Sequence, residues 1–171
     1  MTIRTSLENA GKTVLGALSG KPAETDILET LETEHDEVKS LLSKLVESDN
    51  ARERHSLVNR IKKALIPHSK AEEKVVYDRV LGLAGKDAKI DGHEGYLEHS
   101  LASETLAKLA KMRGPMSPEF SATAKVLREL LNHHIKEEET NIWARLRDNF
   151  SAEDRAQMNR EFEAAKKKVK V

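Results

Sequence analysis

His134-Ile135-Lys136-Glu137-Glu138-Glu139 echoes His68-Ser69-Lys70-Ala71-Glu72-Glu73, which lies 66 residues earlier, and the rest of the chain reads outward from this repeated His-x-x-x-Glu. In an α-helix residues i and i+4 share a face, so His68 with Glu72, and His134 with Glu138, can each reach one centre. A matching pair lies upstream of each copy, Glu34-His35 and Glu98-His99, 64 residues apart. Downstream, an aromatic follows each Glu after five residues, Tyr77 and Trp143. The chain is therefore two copies of one helical hairpin, each supplying one His and then a His-x-x-x-Glu.

These residues sit on apolar stripes that step by three and four. Leu28, Leu31, His35, Val38, Leu42 and Leu45 follow an N-cap at Thr25 or Asp26, and Ser48-Asp49-Asn50 ends the run. Leu57, Ile61, Leu65, His68, Glu72 and Val75 define a second helix from near Ala51 to about Leu81, where Pro67 predicts a kink or a short break. Gly82, Gly85 and Asp87 read as a loop. Tyr96, His99, Ala102, Leu106 and Leu109 place a third helix from around Asp91 or Gly92 to Gly114-Pro115. Leu127, Leu131, His134, Glu138, Ile142 and Leu146 form the fourth, entered through Ser117 with Pro118 at the first helical position. Four long helices with short connections predict an all-α, up-and-down antiparallel four-helix bundle over residues 25–147, with additional N-terminal and C-terminal helices. Residues 1–24 carry Ile3, Leu7, Ala10, Val14 and Leu18 at helical spacing, weakened by Gly11 and Gly16. They read as an amphipathic or mobile segment able to dock on the bundle or on a protein partner. Residues 148–171 read as a helix after Ser151, with Asp154 in near capping-box position and Met158, Phe162, Ala165 and Val169 facing the bundle.

Composition narrows the chemistry. Lys plus Arg and Asp plus Glu number 29 each, so no global field recruits nucleic acid or an anionic membrane. The run Lys166–Lys168 with Lys170 suits a last helical turn that complements the helix dipole. No cysteine is present, which leaves imidazole and carboxylate as the only metal-binding groups. No apolar stretch is long enough for an integral membrane span, and Glu8 and Lys12 interrupt any signal-peptide core, so a cytoplasmic location is expected. No Ser–His–Asp grouping, phosphate-binding glycine loop or nucleic-acid motif stands out.

His35, His68, Glu72, His99, His134 and Glu138 all lie on stripes otherwise made of Leu, Ile, Val and Ala. Burying an unpartnered neutral polar group costs about 2 to 7 kcal/mol, and a charge costs more. A metal cluster satisfies all six at once; a hydrogen-bonded His–Glu network without metal is the alternative. Imidazole and carboxylate suit Fe, Mn, Zn or Ni. Six ligands exceed one tetrahedral zinc and suit two six-coordinate ions bridged by the two carboxylates, with positions left open to a small molecule. A ferritin-like site would show Glu-x-x-His instead.

The set Glu34-His35, His68-x3-Glu72, Glu98-His99 and His134-x3-Glu138 resembles the hemerythrin-like (HHE cation-binding) domain over roughly residues 25–147. The resemblance implies a non-haem di-iron centre of two iron ions with bridging Glu72 and Glu138, zinc or manganese being the substitutes. It implies a diatomic ligand or peroxide as partner, in oxygen, nitric oxide, peroxide or iron sensing or in stress response. The alternative is an iron-sensing or protein-interaction module whose metal is structural. Dedicated turnover is not implied, beyond a weak peroxide- or nitric oxide-consuming activity. Oxygen-carrying members have a fifth histidine, spaced four from another on the third helix. Here Gly95 lies four before His99 and Ser103 four after, so that imidazole is missing and simple oxygen carriage is disfavoured. Water, Tyr96 or Glu104 could fill the place. Glu73 and Glu139 are candidates to accept from the ligand imidazoles, or to face solvent. Tyr77 and Trp143 read as packing groups, and His55, His93 and His133 as flank or surface residues.

Overall fold

A computed structural model describes residues 24–171; the expectations for the segment 1–24 otherwise lie outside the described residues. Helix α1 (Ile27–Glu47) starts where Asp26 Oδ1 accepts from the Leu28 N–H at 3.0 Å. Helix α2 (Ala51–Glu72) starts where Asn50 Oδ1 accepts from the N–H groups of Arg52 and Glu53 at 2.9 and 3.1 Å. It runs through Pro67 without the expected break: Leu65, His68 and Ser69 are buried around the proline, and this packing outweighs the hydrogen bond it forfeits. The irregularity comes later, as a π-helical turn over Glu73–Tyr77 that leads into α3 (Asp78–Leu81).

The third long helix, α4 (Lys86–Lys111), starts ahead of the expected Asp91, because Gly85 turns the chain at φ 107° and Asp87 complements the dipole of the first turn. Helix α5 (Pro118–Glu137) opens on Ser117, whose Oγ accepts from the Phe120 N–H at 3.1 Å. A second π-helical turn, Glu138–Ile142, precedes α6 (Trp143–Asn149). Helix α7 (Ala152–Lys166) has a full capping box, with Ser151 and Asp154 bonded reciprocally at 3.0 and 3.1 Å.

Helix α1 packs on α2 and α5, and α4 packs on α5 and α2, which closes a four-helix bundle; α7 lies over α1 and α2. The described residues contain no strand. The core is split in two. Val38, Leu42, Ile61, Leu106 and Leu127 belong to one apolar cluster, and Ile27, Leu31, Val76, Leu146 and Phe162 to the other. The six His and Glu residues form a polar layer between them, one helical turn past Leu31 on α1 and past Leu131 or Leu65 on its neighbours. Among the described residues, no helix is long and apolar enough to cross a membrane.

Candidate metal centre

All six sequence-picked residues are buried and converge. His35, His68 and Glu72 offer atoms within 4.8 Å of one another, and so do Glu72, His99 and His134. Glu72 belongs to both sets. Its Oε2 lies 3.2 Å from His68 Nε2 in one set and 3.5 Å from His99 Nε2 in the other. Glu138 Oε2 spans the sets in the same manner, 3.4 Å from His35 Nε2 and 3.7 Å from His134 Nε2. Each carboxylate thus faces one imidazole from each set, which is the placement of a bridging group.

The outer nitrogens are held by carboxylates. His68 Nδ1 donates to Glu34 at 2.9 Å, His134 Nδ1 to Glu98 at 2.8 Å, and His35 Nδ1 to Glu139 at 3.0 Å. An ionised carboxylate only accepts, so these contacts keep a proton on Nδ1 and aim the Nε2 lone pair inward. His99 Nδ1 differs: Glu73 lies 3.6 Å away and the nitrogen has no hydrogen bond. Glu139 therefore takes the expected role and Glu73 approaches it, while Glu34 and Glu98 emerge as the partners sequence reading did not assign. The signal was present, since each is half of the repeated Glu-His pair.

Inward, the polar atoms lack partners. His35 Nε2, both oxygens of Glu72 and Glu138 Oε2 are buried without a hydrogen bond. His99 Nε2 and His134 Nε2 lie 3.1 Å apart, lone pair towards lone pair unless a proton or cation intervenes. In the absence of metal, protons serve. Burial opposes charge on these imidazoles, but the carboxylates prevail: Glu138 and Glu139 raise His35 to about 9, and Glu72 and Glu34 raise His68 to about 10. Burial pushes Glu72 up, yet His68 and His99 hold it well below the usual carboxylate range. Donors of this kind, converging and unpartnered, fit cation binding.

Tyr77 is not simply a packing group. Its ring lies beside Gly95, where an added Cβ would come within 2.5 Å of Tyr77 Cζ, so the phenol takes the space at one of the two positions four residues from His99. Its hydroxyl donates to Glu138 Oε1 at 3.1 Å, its ring tilts against His99 at 5.3 Å, and burial beside Glu138 and Glu72 keeps it protonated well past its ordinary range. Tyr96 does not fill the place: its hydroxyl lies 2.7 Å from Asp78 Oδ1 and 3.0 Å from the Glu73 carbonyl. Glu104 turns outward and accepts from Ser100. Trp143, the counterpart of Tyr77, stacks on His35 with ring centroids 6.2 Å apart.

Fold and site define a class: a helical bundle whose two hairpins turn six His and Glu side chains onto a centre able to hold cations. The chain matches the family model of the Hemerythrin HHE cation binding domain over residues 26–146 and belongs to that family. It is 31% identical over 144 residues to a DNA nickase of Nostoc sp. (strain PCC 7120), covering 84% of this chain and 40% of that protein. It is 34% identical over 105 residues to an uncharacterised hemerythrin-like protein of Schizosaccharomyces pombe, covering 61% of this chain and 51% of that protein. The chain thus spans about half, or less, of the length of these relatives. No solved structure gives a significant match.

Proposed function

We propose that this chain holds a non-haem di-iron centre and responds to oxygen, nitric oxide or peroxide in sensing or stress response, without serving as an oxygen carrier. His35 and His68 would hold one ion, His99 and His134 the other, and Glu72 and Glu138 would bridge them. The observation that carries this reading is the meeting of His35 Nε2, both Glu72 oxygens and Glu138 Oε2, buried without a hydrogen-bond partner, at the convergence of the four imidazoles. Gly95 and Ser103 at the two positions four residues from His99 leave no fifth imidazole, and Tyr77 beside Gly95 gives its O–H to Glu138 instead, which supports the distinction from carriage. When bound, such a centre would supply electrons to a small ligand; the protein supplies the buried surroundings.

The test is iron content and optical spectrum of protein purified anaerobically, followed by azide, nitric oxide and peroxide titration. Two irons per chain and a diferric spectrum that shifts with these ligands are expected. A chain that stays iron-free when loaded under iron-replete conditions, or holds zinc or manganese with no ligand response, refutes it.

A second reading, an iron-dependent interaction module, draws on α4. Ile90, Leu97 and Leu101 fall on one face of that helix and are 48%, 61% and 44% exposed. Large iron-dependent stabilisation without peroxide or nitric oxide consumption would favour it. The nickase relative suggests one further assay, nicking of supercoiled plasmid. The balanced charge of this chain, 29 cationic against 29 acidic residues, argues against a nucleic-acid surface, and no nicking is expected.

A further inference from the structure

The repeated hairpins are nearly equivalent around the centre, but their surroundings are not. On the first hairpin, α7 covers the approach. Phe162 packs edge-on against His68 with ring centroids 5.7 Å apart, and Lys166 pairs with Glu34, the carboxylate that holds His68. Helix α7 packs mainly on α1, α2 and the π-helical turn over Glu73–Tyr77, all of the first hairpin. Glu98, the equivalent of Glu34, faces a cleft between α4 and the end of α5. Asp91, Glu94 and Glu98 line it from α4, and Glu137 and Glu138 from the opposite side.

Glu98, His133 and Glu137 offer ligand atoms within 4.8 Å of one another at the mouth; His133 Nε2 lies 3.8 Å from Glu98 and 3.5 Å from Glu137. An acidic mouth alone would be an ordinary solvated face. What points to a ligand is the floor: Glu138 lines the cleft with its side chain 1% exposed and its Oε2 without a hydrogen bond. The cleft holds a volume of about 20 Å³, room for one water-sized body. Arg145 pairs with Asp91 at 2.7 Å, which leaves Glu94, Glu98 and Glu137 to set the sign of the field.

We propose that this cleft is the entrance by which divalent cations reach the centre, with Glu98, His133 and Glu137 as a transit site that passes the ion to Glu138. The inference rests on the proposed di-iron reading and adds the route. The small volume suits a small ion or small molecule, and the charge favours cations and slows anions. It reaches two of the six inward residues, His134 and Glu138, on the hairpin away from the main contacts of α7.

The test uses the full chain, stripped of metal, mixed anaerobically with ferrous iron in a stopped-flow instrument. Trp143, the single tryptophan, stacks on His35 and reports arrival through its fluorescence. Combining Glu94→Gln with Glu137→Gln should slow uptake about tenfold or more, the lower end of what focused charge contributes to association rates. Final iron content and melting temperature should match the wild type, since neither residue belongs to the centre. His133→Gln should slow uptake as well, rising salt should slow the wild type towards the variants, and Glu119→Gln on a remote exposed turn should change nothing. Uptake within twofold of wild type in the double variant and in His133→Gln overturns the entrance while leaving the di-iron reading in place. A wild type that takes up no iron, zinc or manganese overturns both.

Discussion

Tyr77→Phe removes one oxygen atom and leaves the ring that packs beside Gly95, so it tests the phenol with little change in packing. The lost contact is the 3.1 Å hydrogen bond to Glu138 Oε1. Tyr77 is 0% exposed and Glu138 2% exposed, so water cannot replace the donor without entering the core. A hydrogen bond to a charged group contributes about 1.5 to 3 kcal/mol, and loss of this one leaves a buried carboxylate oxygen unserved. For a domain of this size each kcal/mol lowers the melting temperature by about 2 to 4 °C, so the metal-free variant should melt about 3 to 12 °C below wild type. Circular dichroism at 222 nm in excess chelator, with urea midpoints to confirm an unchanged m-value, reads this directly. A shift under about 1 °C would show that Glu138 does not depend on the phenol, and the functional weight placed on Tyr77 would fall with it.

Other perturbations separate the layers of the site. Glu98→Gln and Glu34→Gln leave the six inward groups in place but weaken the hold on His134 and His68; metal affinity by competition with a chelator should fall about 10- to 100-fold in each. Phe162→Ala empties a fully buried position against His68 and should cost about 3 to 5 kcal/mol by urea unfolding, where a loss below 1 kcal/mol would deny that α7 is integral to the bundle. The metal-free protein should be less stable at high pH. His35 and His68 are raised to about 9 and about 10, so the stability they confer is complete below the unfolded value near 6.5 and is lost as pH rises through the folded values. Melting temperature measured from pH 6 to 10 should fall without metal and stay flatter with iron bound, because metal replaces the protons; parallel curves would contradict this.

The bundle was legible because its stripes keep a 3.6-residue period, and the six inward groups because they interrupt those stripes at matched places. Tyr77 was not legible for a definite reason. Five residues past Glu72, an α-helix would turn it about 140° away from the site. The π-helical turn over Glu73–Tyr77 closes on the fifth residue rather than the fourth and brings the aromatic back to the face of Glu72; Glu138–Ile142 does the same for Trp143. The recurrence of an aromatic at that odd spacing was the visible trace of an irregularity that local propensity does not encode. The early start of α4 was hidden because Lys86–Asp91 buries only Ala88 and so carries no stripe. The repeated Glu-His pair flagged Glu34 and Glu98 but not their partners, because each serves the histidine of the next long helix, 34 and 36 residues away, rather than its own neighbour.

The placement of α7 over one hairpin has a consequence for the pair of histidine sets. Two copies of one plan would give interchangeable halves, but Trp143 stacks on His35 and Phe162 packs on His68, with Lys166 on the carboxylate that holds His68, while Tyr77 lies against His99 and the cleft is lined by His134. The halves cannot trade places. On the proposed route of entry, the His35–His68 set would be the slower to exchange and the His99–His134 set the faster, a division of labour between two copies of one motif.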